Sequence, residues 1–138
     1  MPDRVFVDSN VFIYAKVKSQ CTIKHAAAQS LLSSLDKQVV ISVQVLNEFY
    51  STLRRMRVED AIIQNSLNQF IPSTQVQPLT RSTVELCWAM LNKYHFSYYD
   101  SLILASALES KCTRLYSEDM QHGQNIENQL MIVNPFVT

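Results

Sequence analysis

Four acids carry the chemical potential of this chain: two follow apolar runs, one opens a helical pattern and one lies within another. Asp8 follows Arg4–Val7 (RVFV) in the run Val7-Asp8-Ser9-Asn10, and Asp119 follows Arg114–Ser117 (RLYS) in Ser117-Glu118-Asp119. Glu48 sits in the helical pattern after Gln38–Ile41 (QVVI), and Asp100 closes Ser97-Tyr98-Tyr99-Asp100 just before an apolar run. In open α/β sheets, ligands gather at the carboxyl ends of the strands, where such acids would emerge. Three carboxylates within ~5 Å of one another repel by roughly 3 kcal/mol per pair at an effective dielectric near 20. A fold seldom accepts that without a counter-charge. All-oxygen carboxylate clusters suit Mg²⁺ or Mn²⁺, and a pair of such ions can activate a water and stabilise the leaving oxygen of a phosphodiester. The chemistry such a cluster would serve is metal-dependent phosphodiester hydrolysis.

Each acid also has a plain structural reading. Asp8 can cap a helix beginning near Asn10, and Glu48 can be a solvated residue on a polar helix face. Ser97-x-x-Asp100 has the form of a capping box, and an acid is favourable in a first turn with or without chemistry. Asp119 or Glu118 can be turn residues. The set is more informative than its members.

These acids must be positioned by strands and helices, and the hydrophobic pattern predicts both. Arg4–Val7, Gln38–Ile41, Arg114–Ser117 and Leu130–Val133 are short apolar or β-branched runs, expected as strands. A looser extended segment is expected over Thr74–Pro78. Helices are expected over Ile23–Asp36, where Ala28, Leu31, Leu32 and Leu35 share one face, and through Leu46, Phe49, Tyr50 and Leu53. A further helix is expected from Glu59 to about Phe70, stopping before Pro72. Val84, Cys87, Trp88 and Leu91 mark the core face of the next, which predicts that Trp88 is buried. The last runs over Ser101–Ser110. If the second helix starts near Ser42, Glu48 lies roughly 9 Å along its axis at ~1.5 Å per residue. Its helical angle keeps it off the apolar face. Strand-helix alternation of this kind predicts an α/β fold, a three-layer α/β/α sandwich with a mostly parallel central sheet.

Composition narrows the function further. At 138 residues, 47% hydrophobic and 17% charged, the chain fits one domain with a real core, expected to span residues 1–138. The single glycine, Gly123, excludes both a G-x-G-x-x-G dinucleotide loop and a Walker loop. Twelve basic and twelve acidic side chains cancel, which excludes a charge-driven nucleic-acid binder. Cys21, Cys87 and Cys112 are scattered and odd in number, with no C-x-x-C, so neither a disulfide framework nor a structural zinc site is expected. The first residues lack an apolar signal region, and no apolar run approaches the ~18 residues of a membrane span. A cytoplasmic protein with no membrane partner is the expectation.

The runs Phe6-Val7-Asp8-Ser9-Asn10-Val11, Val45-Leu46-Asn47-Glu48-Phe49, Tyr99-Asp100-Ser101-Leu102-Ile103 and Ser117-Glu118-Asp119 together resemble a PIN domain, in the family's order. The chain is most similar to the small toxins of VapBC-type toxin-antitoxin systems. That resemblance implies a ribonuclease using Mg²⁺ or Mn²⁺, with Asp8, Glu48, Asp100 and Asp119 as the metal and catalytic residues. It also implies that Asn10 supports Asp8 by hydrogen bonding and that Ser117 stands beside the last acid. An RNA substrate, a cognate antitoxin and a homodimer follow as expected partners. The family often has a glycine before the strand leading to the last acid; Ser110-Lys111-Cys112-Thr113 has none, which makes that helix end less favourable.

Other residues are weaker candidates. Arg54, Arg55 and Arg57 can contact an RNA backbone or simply complement a helix end. Lys16, Lys18 and Lys24 can line the cleft or meet an antitoxin's acids. Tyr98 and Tyr99 are expected as core or lid more than as base-stacking residues, and His122 is close in sequence to the last acid. Three alternatives to a toxin stay open: an RNA-processing nuclease, a Mg²⁺-dependent phosphatase with Asp8 as nucleophile, and a silent RNA- or protein-binding module. The phosphatase is weakened because Asp8-Ser9-Asn10 lacks the second aspartate of a D-x-D loop.

Overall fold

A computed structural model of the chain describes residues 3–18, 21–35 and 38–137. In chain order these form β1 (Val5–Val7), α1 (Ser9–Lys16), α2 (Thr22–Ser34), β2 (Val39–Ser42), α3 (Val43–Arg55) and α4 (Asp60–Phe70). A 3₁₀ turn at Ile71–Ser73 leads to β3 (Gln75–Gln77), then α5 (Arg81–Tyr94), α6 (Tyr98–Glu109), β4 (Arg114–Tyr116), β5 (Asn125–Ile126) and β6 (Leu130–Val133). The expected helix over Ile23–Asp36 ends at Ser34, and Asp36 lies outside the described residues.

The strands make one sheet in the order β3-β2-β1-β4-β6-β5. All neighbours are parallel except β5, which is antiparallel to β6. Helices flank the sheet to give the expected three-layer α/β/α sandwich. α1 packs on α2 and α3, α3 packs on α4, and α5 pairs with α6. The chain reads as near-continuous apolar runs at Phe6–Val7, Val40–Ile41 and Leu115–Tyr116, all buried, because both sheet faces are covered.

The crossovers fix where a site can form. β1 connects to β2 on one side, whereas β4 lies on its other side, so the strand order reverses between β1 and β4. The Val7↔Tyr116 register brings Asp8 level with Ser117, and the Asp8 N–H extends the ladder by donating to the Tyr116 carbonyl at 2.9 Å. Every residue from Ser101 to Ala107 is buried, so α6 is held from all sides and its first turn has a fixed place.

Two helix ends use the same backbone device. After α6, Cys112 N–H bonds the Ala107 carbonyl and Lys111 N–H that of Leu108, each at 3.0 Å, with Lys111 left-handed at φ 59°. After α3, Val58 bonds Leu53 and Arg57 bonds Arg54, again at 3.0 Å, with Arg57 at φ 65°. These are Schellman motifs whose left-handed position glycine fills at least cost, so the missing glycine is replaced by a strained lysine and not by another geometry.

One core assignment is corrected. Thr83, Cys87 and Met90 are the inward residues of α5, and Trp88, one residue past Cys87 and ~100° around the helix, is exposed. The stripe Val84-Cys87-Trp88-Leu91 is rotated by part of a turn from the real face. On α3 the buried residues are Val45, Phe49 and Leu53, with Leu46 and Tyr50 half-buried. A groove of about 700 Å³, lined by Phe12, Leu32, Leu35, Phe49 and Phe70 among others, opens between α1, α2 and α4.

Candidate active site

Asp8 is the first residue beyond β1 and the N-cap of α1, so its capping role and its place at the sheet edge coincide. Its Oδ1 accepts the Ser9 N–H at 2.7 Å and its Oδ2 accepts the Ser117 hydroxyl at 2.8 Å. The carboxyl is buried, and burial pushes its pKa from 3.8 up to about 7; the Ser117 bond opposes this, and the charges of Glu48 and Asp119 add to it.

Ser117 extends β4 by one residue, with its N–H on the Val133 carbonyl at 3.0 Å. Its hydroxyl donates to Asp8 and accepts the Asp119 N–H at 3.2 Å, so one buried oxygen sets both acids. Asp119 is exposed, and its Oδ2 accepts from Asn10 Nδ2 at 3.1 Å. Asn10 Oδ1 in turn accepts the Glu118 N–H at 3.3 Å. Asn10 therefore supports Asp119 and its loop, not Asp8 as expected, because its side chain spans from Asp119 Oδ2 to the Glu118 N–H.

Asp100 is in the first turn of α6, where Ser97 caps the helix by accepting the Asp100 N–H at 3.2 Å. Burial raises its carboxyl pKa, Ser97 lowers it, and the charge of Asp119 raises it. One carboxylate oxygen from each of Asp8, Asp100 and Asp119 lies within 4.8 Å of the others. Glu48 is outside that triad but beside it. It is half-buried on the second turn of α3, and Ser9 Oγ donates to its Oε1 at 3.4 Å. Burial raises its pKa; bonds from Gln44 and Ser9 oppose this, and the charges of Asp100 and Asp119 add to it.

Among the described residues no Lys, Arg or His forms an ion pair with Asp8, Glu48, Asp100 or Asp119. Ionised carboxylates this close repel by about 3 kcal/mol or more per pair at an effective dielectric near 20. Three oxygen donors converging without a protein cation fit a hard divalent ion, with open positions for water.

Several neighbours are placed elsewhere. Glu118 points away from the triad, accepting from Tyr14 OH at 2.9 Å and pairing with Lys24. Lys24 is thus engaged in tying α2 to the 117–119 loop, and its ammonium also lies 5.2 Å from the Tyr14 ring centroid. His122 is exposed and accepts the Asn134 N–H at 2.9 Å, apart from the acids. Arg54, Arg55 and Arg57 are exposed at the far end of α3, Arg54 pairing with Asp60 at 3.6 Å and Arg55 donating to Thr52. Arg54 lies roughly 9 Å along the axis beyond Glu48. Tyr98 and Tyr99 are exposed rather than core. Two contributors were missed in the sequence: Ser9, which touches both Asp8 and Glu48, and Tyr14, whose partner is 104 residues away and leaves no local signal.

An acidic triad stands at the switch point of a mostly parallel sheet in an α/β/α fold. The chain belongs to the PIN domain family, whose sequence profile matches residues 5–124. No curated protein matches the sequence significantly. Among solved structures, the fold matches VapC20 of Mycobacterium tuberculosis, a toxin cleaving the sarcin-ricin loop, with TM-score 0.71 and 21% identity over 82% of this chain and 88% of that one. A toxin-antitoxin complex from Klebsiella pneumoniae matches with TM-score 0.72 and 17% identity over 95% and 97%. VapBC2 of Rickettsia felis, bound to a DNA fragment from its promoter, matches with TM-score 0.61 and 15% identity over 93% and 96%. At these identities the likeness establishes the shared fold. No helix among the described residues is long and apolar enough to cross a membrane.

Proposed function

We propose that this chain is an endoribonuclease dependent on Mg²⁺ or Mn²⁺, acting in the cytoplasm as the toxin of a toxin-antitoxin pair. The observation that carries the reading is the triad of Asp8, Asp100 and Asp119 within 4.8 Å, on a PIN domain. These three would hold the ion, with Glu48 beside them. A bound divalent ion supplies Lewis acidity to the phosphodiester and lowers the pKa of attacking water. Ser117 and the Ser9 N–H hold Asp8 in one orientation, so its two oxygens are set before substrate arrives. Asp119, exposed and tethered by Asn10, stands on the solvent side, where RNA and water enter and where it can orient the attacking water. Glu48, with its pKa raised by burial, is suited to take a proton from that water.

A cognate antitoxin is the proposed partner, in keeping with the toxin-antitoxin complexes among the structural relatives. The apolar groove between α1, α2 and α4 supplies surface for such a partner to cover. A homodimer and a single nuclease domain over residues 1–138 complete the proposal.

The test is cleavage of a structured RNA pool by purified protein in EDTA, Mg²⁺ or Mn²⁺, beside Asp8→Asn. The reading predicts cleavage that needs metal and disappears in Asp8→Asn. A folded, antitoxin-free protein that cleaves no RNA and binds no Mn²⁺ would leave a silent binding module in its place.

A further inference from the structure

The chain has thirteen aromatic side chains, six Phe, six Tyr and one Trp. Ten of them are buried or half-buried, and the three that are exposed lie together. Trp88 is 50% exposed, Tyr98 41% and Tyr99 58%. Scattered exposed aromatics would need no account, but a contiguous set that takes in every exposed ring is a built surface.

The rings are held by their own bonds. Trp88 Nε1 donates to the Tyr98 hydroxyl at 3.1 Å, and the Tyr98 and Tyr99 rings meet edge-on, 5.7 Å apart at 83°. The Tyr98 carbonyl accepts from Cys87 Sγ at 3.5 Å, fixing the start of α6 against α5. The indole N–H is satisfied within the set, which leaves ring faces and the two tyrosine hydroxyls to the surface. It also lies at the same helix start as the candidate active site, since Tyr98 and Tyr99 share the first turn of α6 with Asp100 of the acidic triad.

Charge gives the set a purpose. The net charge of the chain is zero, and Lys24 is committed to Glu118. The three arginines are at the far end of α3 and one of them is paired with Asp60. Base–aromatic stacking is a general means of gripping a polynucleotide that needs no phosphate contact. We propose that Trp88, Tyr98 and Tyr99 form a stacking platform for unpaired nucleobases of the RNA next to the scissile phosphate. The platform rests on the ribonuclease reading above.

The test uses a fluorescein-labelled single-stranded RNA dodecamer of mixed sequence, with an abasic oligomer of the same length as its partner probe. Binding is read by anisotropy in Ca²⁺, and by the emission of Trp88, the only tryptophan of the chain. Tyr99→Ala is expected to weaken binding of the RNA about 5- to 150-fold, the range of one lost base stack. Tyr99→Phe, which keeps the ring and controls for folding, is expected to stay within about twofold on the same grounds. The salt slope should be the same in all three proteins, because no phosphate contact is removed. The abasic probe should bind the parent and Tyr99→Ala alike, and RNA should quench Trp88 where the abasic probe does not. A parent that binds and cleaves RNA while Tyr99→Ala binds equally well would overturn the platform and leave the ribonuclease standing. A folded parent that neither binds nor cleaves RNA would overturn both. If Tyr99→Ala turns a dimer into a monomer in sedimentation with RNA affinity unchanged, a second copy covers the rings and the platform is wrong.

Discussion

The buried carboxyl of Asp8 makes a prediction whose size can be worked out. In the metal-free protein its pKa stands at about 7 against an ordinary 3.8, with burial as the leading cause. The folded state therefore holds a proton that the unfolded chain has released over that interval, and stability falls as pH rises through it. The distance from 3.8 to about 7, at 1.36 kcal/mol per pH unit, amounts to about 4 kcal/mol, fully developed above pH 7. Asp8→Asn removes the charge but exchanges one acceptor oxygen for an N–H group facing Ser117, costing about 1 kcal/mol. In EDTA at pH 8 the variant should be more stable than the parent by about 3 kcal/mol, or about 10 °C in Tm. At pH 4, where the parent's carboxyl is protonated in the fold, the advantage should vanish or reverse. Urea unfolding of both proteins from pH 4 to 9 in EDTA measures this directly. Glu48 and Asp100 also have raised pKa values, so the difference between the curves reports Asp8 together with its charge coupling to Glu48 and Asp119. Added Mn²⁺ should reverse the order at pH 8, because only the parent keeps the full ligand set. Parallel curves for parent and variant across that range in EDTA would refute the reasoning.

Three further outcomes are expected. Ser117→Ala, which removes the donor to Asp8 and the acceptor for Asp119 N–H, should cost about 1–3 kcal/mol and move the Asp8 titration to higher pH, as seen in the pH dependence of unfolding. Lys111→Gly, relieving a left-handed residue in a Schellman motif, should stabilise the fold by about 0.5–1 kcal/mol in urea; a loss of stability would show that the lysine is not strained there. Asp100→Asn should be at least as stable as the parent in EDTA at pH 8, with its Mn²⁺ thermal shift abolished, and a clear destabilisation with the shift intact would contradict the clustered site.

Much of this architecture is written in local pattern. Phe6–Val7 and Val40–Ile41 are buried on both sheet faces, so their apolar runs are continuous and easily read, and Leu130–Val133 is apolar throughout although Met131 is exposed. The β5–β6 hairpin was not legible. Its strand is two residues long, and its turn places Glu127 and Asn128 at φ 54° with no glycine to announce it. Trp88 was misplaced because Cys87 and Met90 fill the inward positions, and a one-residue offset on a helix is a turn of ~100°. Within the site, Asp8 and Asp119 were legible as acids from their place after β1 and β4, and Asp100 from its place at the start of a helix. The partners were not: Ser117 meets Asp8 across 109 residues, and Asn10 reaches Asp119 across the same span. Those contacts depend on the β1–β4 register, which no local spacing encodes.

The claim that three particular carboxylates converge to hold a divalent ion is tested most directly by titrating Mn²⁺ into the parent, Asp119→Asn and Glu118→Gln by calorimetry. The two variants alter adjacent acids, of which only Asp119 belongs to the triad while Glu118 is bound to Lys24 and Tyr14. The account predicts that Asp119→Asn weakens Mn²⁺ binding at least tenfold and that Glu118→Gln leaves it near the parent's value. Binding lost in Glu118→Gln and kept in Asp119→Asn would contradict it.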